Sequence, residues 1–181
     1  MHVMKKTVGV YGIILLGFLI SIGCKQEVQV VQPEIDLITA TTNGDLQTVS
    51  DHIAFGSDLN AVSFDSSTPL IIAATFGHTE IAKQLIAAGA DVNKQKSDGT
   101  TALHAATFLC RKEIVQALLD AGADKSIKTN DGSTALDGVS GPFAEMKPIY
   151  DLLQTMLGPL GLKLDNNQIQ AERPVIAEML K

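Results

Sequence analysis

The sequence predicts an all-α solenoid, in which stacked helix-turn-helix units are joined by β-turn loops. The main observation is that three markers share one spacing of 33 residues. A Thr-x-Leu motif begins at Thr68, Thr101 and Thr134, a Gly-x-Asp motif begins at Gly56, Gly89 and Gly122, and Asp98-Gly99 recurs as Asp131-Gly132. A fixed period of this length indicates repeated helical units, each of which buries its apolar faces against its neighbours.

The unit that begins at Thr68 indicates where its two helices begin and end. Thr68 can cap the first helix, and Pro69 at the first helical position loses no needed hydrogen bond. Gly77 is expected to end this helix in the left-handed conformation. A second helix is predicted from Thr79 to Ala87, because its apolar side chains recur with helical spacing on one face.

The first and last units depart from this pattern, as the ends of a solenoid are expected to do. His52 stands where the later units carry Leu85 and Leu118, which predicts an outward-facing first unit. In the fourth unit the second helix is predicted to resume at Pro148, after a two-residue insertion. Residues 173–181 resemble the second helix of a further unit, so that the chain is expected to close with a half-repeat.

These units resemble the ankyrin-repeat family. The segment STPLIIAATFGHTEIAKQLIAAGADVN, residues 67–93, matches an ankyrin repeat along its whole length, and residues 99–124 are nearly as similar. The resemblance implies an ankyrin domain at 35–181, with units at about 35–63, 64–96, 97–129 and 130–164 and a closing half-repeat at 165–181. It implies a scaffold that binds another protein and catalyses no reaction.

The first 23 residues are predicted to be a secretory signal peptide rather than part of the fold. Lys5 and Lys6 precede an apolar stretch of 15 residues, from Val8 to Ile22, which is short for a transmembrane helix of about 20 residues. The segment therefore indicates export, with the folded part of the chain facing the periplasm or the cell exterior.

Cys24 follows this apolar stretch in a context that resembles a bacterial lipobox, in which the cysteine is lipidated. Ser21 departs from the usual leucine three residues before the cysteine, and Lys25 resembles a signal for outer-membrane delivery. Residues 24–34 are then a lipidated tether, and the chain is a membrane-anchored lipoprotein of the cell envelope. Cleavage by an ordinary signal peptidase and an uncleaved anchor are the alternatives.

Composition and charge restrict the class of partner and the chemistry. The net charge of −6 and the lack of a basic patch exclude nucleic acid as a partner. No nucleophile, phosphate-loop or zinc-protease motif is present, and the His residues lack metal-ligand spacing. We therefore expect no enzymatic activity, no cofactor and no metal, and we expect a monomer.

Two side chains require a choice between a chemical and a structural role. Cys110 stands where the preceding unit has Gly77, and Arg111 and Lys112 could lower its pKa and make the thiol reactive. The alternative is a partly buried residue at the end of a helix, which the lack of a spaced partner favours. By resemblance to the family motif, His104 is a hydrogen-bonding strut between a loop and a helix.

The resemblance places the partner-binding surface at the turn tips and on the exposed side of the first helices. Carried onto this sequence, the tip positions are Phe64, Asp65 and Ser67 in one unit, Asp98 and Thr100 in the next, and Asp131 and Ser133 in the third. The acidic tips favour a partner that is basic and apolar together.

Three large apolar residues, Phe76, Phe108 and Leu109, follow the small alanines of the first helices. They stand where the family usually exposes polar or variable residues, so they could form an exposed patch, and such patches mark interfaces. They could instead pack against neighbouring loops and complete the core. The sequence leaves these two alternatives open.

The function predicted from the sequence is a non-enzymatic protein-interaction scaffold anchored at a bacterial cell-envelope membrane. An immunity factor or enzyme-associated accessory factor in the periplasm, which also acts by binding, is the first alternative. A redox protein that uses Cys110 is the second.

Overall fold

The computed structural model describes residues 31–181 and contains helices and loops, with no strand in that range. The helices are α1 Leu37–Asn43, α2 Leu46–Phe55, α3 Pro69–Phe76, α4 Thr79–Ala87, α5 Ala102–Phe108, α6 Lys112–Asp120, α7 Asp137–Ser140, α8 Phe143–Leu157 and α9 Asn166–Met179, with a 3-10 turn at Gly158–Leu160. The predicted all-α solenoid is confirmed. The predicted signal peptide, residues 1–23, and the lipidation site, Cys24, lie outside the described residues.

The helix ends in the second unit follow the sequence signals. The Thr68 hydroxyl accepts a hydrogen bond from the backbone N–H of Ile71, and Pro69 occupies the first helical position. Gly77 ends α3 with a φ of 78°, a left-handed conformation that glycine adopts without a steric cost. The predicted bounds of the following helix, Thr79 to Ala87, are confirmed.

The helices form two layers. Helices α1, α3, α5 and α7 pack in a row as the inner layer, while α2, α4 and α6 form the outer layer behind them. The inner helices approach closely because Ala73, Ala74 and Ala106 lie fully buried between them. Leu85 and Leu118 fill the space between the layers, and each such buried side chain stabilises the fold by about 1.5–3 kcal/mol.

Hydrogen bonds join the loops of successive units. The Asn60 side-chain oxygen accepts from the N–H of Asp91 at 2.9 Å, and the Asn93 oxygen accepts from the N–H of Asp124 at 2.8 Å. At the turn tips the N–H of Asn130 donates to the carbonyl of Asp98 at 2.9 Å. These bonds hold the tips in one row and fix the orientation of each unit on the next.

The outward-facing position predicted for His52 is wrong. This side chain is only 5% exposed. One ring nitrogen lies 2.8 Å from the Ser57 hydroxyl and the other 2.7 Å from the Ile35 carbonyl. The segment before α1 covers the ring and satisfies both nitrogens, and a buried polar ring is stable only with such partners.

The fourth unit differs from its expected arrangement. The helix begins at Phe143 rather than Pro148, and Pro148 lies inside it, where it removes one backbone donor without ending the helix. Helix α9 packs on α6 and α7, and this is the position that the second helix of a fourth unit takes in a regular stack. Helix α8 is therefore inserted between the two helices of that unit. Within residues 31–181 we find no helix both long and apolar enough to cross a membrane.

Candidate binding groove

A single groove runs along the inner helices, and its volume is about 930 Å³. All ten residues predicted to bind a partner line it: Phe64, Asp65, Ser67, Phe76, Asp98, Thr100, Phe108, Leu109, Asp131 and Ser133. The structure thus brings together positions that are spread over about seventy residues of sequence, because equivalent positions of stacked units align. Their role in binding remains a prediction.

The floor of the groove is apolar. It is formed by one face of each inner helix and includes Ile38 of α1, Ile71 and Ile72 of α3, and Ala105 of α5. Ile71 and Ile72 are largely buried, whereas Phe76 at the end of α3 is half-buried and stacks on His78 with ring centroids 6.0 Å apart. Phe76 therefore presents part of its ring to the groove.

The turn tips form the first wall of the groove, and they are acidic. Burial alone would raise the pKa of Asp98, but hydrogen bonds from Thr100 and Lys96 outweigh it and hold that pKa below its ordinary value. The pKa of Asp131 is lowered by hydrogen bonds from Thr129 and Ser133. Both carboxylates are therefore charged at neutral pH, and the Lys96 Nζ lies 2.9 Å from the Asp98 carboxylate.

Phe64 at the first tip is fully exposed, with a relative accessibility of 104%. A phenyl ring in this position gains nothing for folding, because it buries no surface against the rest of the chain. Exposed aromatic rings on a groove rim are common anchors for a partner. Phe64 is thus the predicted site residue with the least structural role.

The alternative of an exposed apolar patch is wrong for Leu109, which is only 4% exposed and belongs to the core. Phe108 is half-buried, because its ring packs against Tyr150 at a centroid distance of 5.0 Å. Ser67 among the tip residues is also buried, and its hydroxyl donates to the Asp65 carboxylate at 2.8 Å. For Phe108 and Leu109 the structure supports the second alternative, packing that completes the core.

Helix α8 forms the second wall of the groove, which the sequence pattern did not predict. Met146, Leu153 and Leu157 of α8 line the groove, together with Leu160 of the following 3-10 turn. The three residues of α8 lie on one side of the helix because they recur at intervals of seven and four residues. The same spacing can be seen in the sequence. Because the helix was predicted to start at Pro148, however, Met146 lay outside the predicted helix.

Arg173 of α9 holds α8 in place. The side chain is 4% exposed and donates to the Tyr150 hydroxyl at 2.7 Å, to the Gly138 carbonyl at 3.2 Å and to the Gly141 carbonyl at 2.7 Å. The Tyr150 hydroxyl in turn donates to the Phe108 carbonyl at 2.9 Å. This chain of hydrogen bonds links α9, α7, α8 and α5, and it positions the apolar wall.

His104 has the strut role that the family motif implied. Its Nδ1 lies 2.8 Å from the Thr101 hydroxyl, and its Nε2 lies 3.3 Å from the Ser133 carbonyl of the next loop. Burial is the main cause that lowers the pKa of His104, so the ring is neutral at neutral pH. Within the described range, no group of three His, Cys, Asp or Glu side chains is arranged to hold a metal ion.

Cys110 is buried, and its Sγ contacts the Ile169 carbonyl at 3.6 Å. Burial is the largest effect on its pKa, which it raises from 9.0 to about 11, although the positive charges of Arg173 and Arg111 act in the opposite direction. A buried thiol with a raised pKa is a poor nucleophile. These features give no support to the redox alternative.

We expect the Cys110 thiol to react about 100-fold more slowly in the folded protein than in the unfolded one at pH 8, since two pKa units change the thiolate fraction by that factor. The measurement uses a Cys24→Ser chain and a chromogenic thiol reagent, with and without denaturant. Because the fold favours the neutral thiol, the Cys110 side chain contributes to the free energy of unfolding. This contribution is fully present below pH 9.0 and is lost as the pH rises through about 11. Equal rates in the two states would contradict this account.

The two layers, the repeated loops and the groove define a class of protein, a helical-repeat solenoid that presents a concave surface. A family model described as ankyrin repeats, in three copies, matches residues 37–129, which is just over half of the chain. The chain belongs to the ankyrin-repeat family, and ankyrin repeats indicate a protein–protein interaction domain. A comparison with curated proteins found no significant match.

Proposed function

We propose that this protein is a binding scaffold held at a cell-envelope membrane, whose groove takes up a segment of a partner protein. The observation that carries the proposal is that all ten predicted positions line one groove with an apolar floor. The fully exposed Phe64 ring and the half-buried Phe76 ring both present apolar surface to the groove. Contact residues of this kind dominate the energy of many interfaces.

Affinity purification from envelope extracts tests the binding function. We expect the chain with Phe64→Asp and Phe76→Asp to recover at least about tenfold less of the partner than the unchanged chain does, because a carboxylate cannot enter an apolar interface without a large desolvation cost. The recovered protein is identified by mass spectrometry and quantified for each variant.

Phe55→Asp is the matched control, because Phe55 is an exposed phenylalanine on α2, outside the groove. It should leave recovery unchanged, and thermal unfolding should show that all variants are folded. Equal recovery by the unchanged chain and the Phe64 and Phe76 variant would contradict binding in the groove.

The membrane anchor is the second part of the proposal, and it rests on the sequence alone. The apolar stretch Val8–Ile22 is followed by Gly23, Cys24 and Lys25, an order that resembles a lipidated signal apart from Ser21. In this proposal residues 24–34 are the lipidated tether, and α1 begins after it at Leu37. This arrangement would hold the groove away from the membrane surface while it stays tethered there.

We expect Cys24→Ser to release the protein from the membrane fraction or to block its processing, since the serine hydroxyl cannot form the thioether to lipid. Fractionation and the mass of the mature chain measure this. Cys110→Ser makes the same atomic change at a buried position and should leave both results unaltered. If Cys24→Ser changed neither fractionation nor mass, lipidation would be ruled out.

A further inference from the structure

We infer that the occupant of the groove is an amphipathic basic helix of the partner protein, with Lys or Arg side chains toward the turn tips and apolar side chains toward α8. This inference rests on the proposed function and deepens it. It follows from a difference between the two walls, which are built by different parts of the chain. The wall at the turn tips is acidic, and the wall formed by α8 is apolar.

The wall at the turn tips attracts positive charge. Among the residues that line the groove, the charged groups are four carboxylates, those of Asp65, Asp98, Asp131 and Asp137, and one ammonium group, that of Lys96. Lys96 is already paired with Asp98. Within the described residues the Asp131 and Asp137 carboxylates accept hydrogen bonds only from neighbouring hydroxyl and backbone N–H groups, and neither is in a salt bridge, although the charge of Lys128 helps to lower the pKa of Asp137. Such a wall favours cationic side chains and repels anionic ones.

The wall formed by α8 offers no charge to the groove. Leu153, Leu157 and Leu160 face it, and Leu160 is 56% exposed. The apolar surface continues over the rim of α8 through Ile149, Leu152 and Met156, which are 43%, 56% and 62% exposed. Exposed apolar side chains that adjoin a groove are typical of an interaction surface rather than of a surface adapted to water.

A helix is the element that can satisfy both walls. Its side chains repeat every 3.6 residues, so that one face can be apolar while the opposite face is basic. The groove passes over four inner helices, and three spacings of about 8–10 Å give it a length of about 24–30 Å. A helix of about 18 residues has a length of about 27 Å and matches this span.

The insertion of α8 explains why a single helix fits better than a globular surface. A regular stack leaves the inner helices open on the side away from the turn tips. Here α8 stands on that side, where Tyr150 contacts Phe108 and hydrogen-bonds to its carbonyl. The groove is therefore bounded on both sides at α5, which restricts the width of what can enter it there.

A synthetic peptide of about 18 residues, composed of Leu and Lys with all Leu on one helical face, tests the inference with the full chain. Two further peptides serve as comparisons, one with Glu in place of every Lys and one with the same composition in an order that has no apolar face. Fluorescence anisotropy of labelled peptide gives each dissociation constant, at low and at high salt.

We expect the Leu–Lys peptide to bind at least about tenfold more tightly than either comparison peptide, and to weaken as salt rises because the acidic wall is solvent-accessible. Asp98→Asn with Asp131→Asn should weaken binding about threefold to tenfold, since Asn keeps the acceptor for the turn N–H but lacks the charge. Leu160→Gln should weaken binding about threefold at the other wall.

Asp51→Asn with Asp120→Asn is the matched control. Both carboxylates lie exposed on outer helices, and each accepts a hydrogen bond from a glutamine four residues earlier, so the change in net charge is the same as at the tips. This double variant should bind the Leu–Lys peptide as the unchanged chain does. A loss equal to that of the tip variant would mean that net charge, not the groove, attracts the peptide, and would overturn the inference.

Equal affinity for the basic and acidic peptides, or for the ordered and reordered peptides, would also overturn it, as would no binding at about 1 mM peptide. These results are separable from the proposed function. If the Phe64 and Phe76 variant loses the cellular partner while the Leu–Lys peptide does not bind, the groove still binds a protein, but its occupant is not a basic amphipathic helix.

Discussion

Replacing Gly99 with Ala is expected to lower the free energy of unfolding by about 2–4 kcal/mol. Gly99 has a φ of 85°, and a side chain there costs about 1 kcal/mol or more. A Cβ atom would also lie 2.8 Å from the Thr129 Cα and 2.9 Å from the Asn130 N. These are backbone atoms of the next tip, so they cannot move aside without breaking the hydrogen bond from Asn130 to Asp98.

Gly132→Ala is the matched control for that change. Gly132 is the equivalent position one unit later, with a φ of 86°, but no atom of the described residues lies within 4 Å of the place that a Cβ would occupy there. Gly132→Ala should lower the free energy of unfolding by only about 1 kcal/mol, the cost of a side chain at a positive φ. Urea unfolding of the two variants gives the difference, which isolates the contact between units. Equal destabilisation would show that the tips do not stack as closely as described.

Replacing Arg173 with Ala is expected to destabilise the protein by about 3 kcal/mol and to detach α8 from the groove. The change removes three charge-assisted hydrogen bonds and leaves the carbonyls of Gly138 and Gly141 without their donor. An unsatisfied buried acceptor costs about 1–3 kcal/mol, and these two carbonyls are only partly buried, so each costs toward the lower end of that range. Removal of the buried charge offsets part of this cost. Urea unfolding measures the stability, and amide hydrogen exchange of residues 143–157 measures the release of α8.

Two further variants define the origin of the Arg173 effect. Tyr150→Phe removes one acceptor of Arg173 and the donor to the Phe108 carbonyl, so we expect about 1–2 kcal/mol of destabilisation. Lys163→Ala removes an exposed cation nearby in sequence and should change stability by less than about 0.5 kcal/mol. If Arg173→Ala were as mild as Lys163→Ala, Arg173 would not hold the second wall.

The repeats are predictable from sequence because their signals are local. A hydroxyl such as that of Thr68 before the helix, and a glycine such as Gly77 after it, act on backbone groups within four residues. The 33-residue period then aligns equivalent residues across units, and the resemblance to ankyrin repeats implies which of them line the groove.

The second wall cannot be predicted in the same way, because it depends on contacts between distant parts of the chain. Tyr150 packs against Phe108, and Arg173 reaches Tyr150 across the inserted helix. Nothing in the local pattern around Pro148 indicates that α9, rather than α8, packs on α6. The burial of Leu109 cannot be decided from sequence for the same reason, since family position alone does not show what a neighbouring segment covers.

A basic amphipathic helix bound in one groove between the turn tips and α8 is the arrangement that most needs a direct test. Chemical-shift mapping of the ¹⁵N-labelled chain with the Leu–Lys peptide tests it most directly. The account predicts that amide resonances change at the three tips, around Asp65, Asp98 and Asp131, and along residues 153–160, while those of the outer helices α2, α4 and α6 stay in place. Shifts concentrated on the outer helices, or confined to one wall, would contradict it.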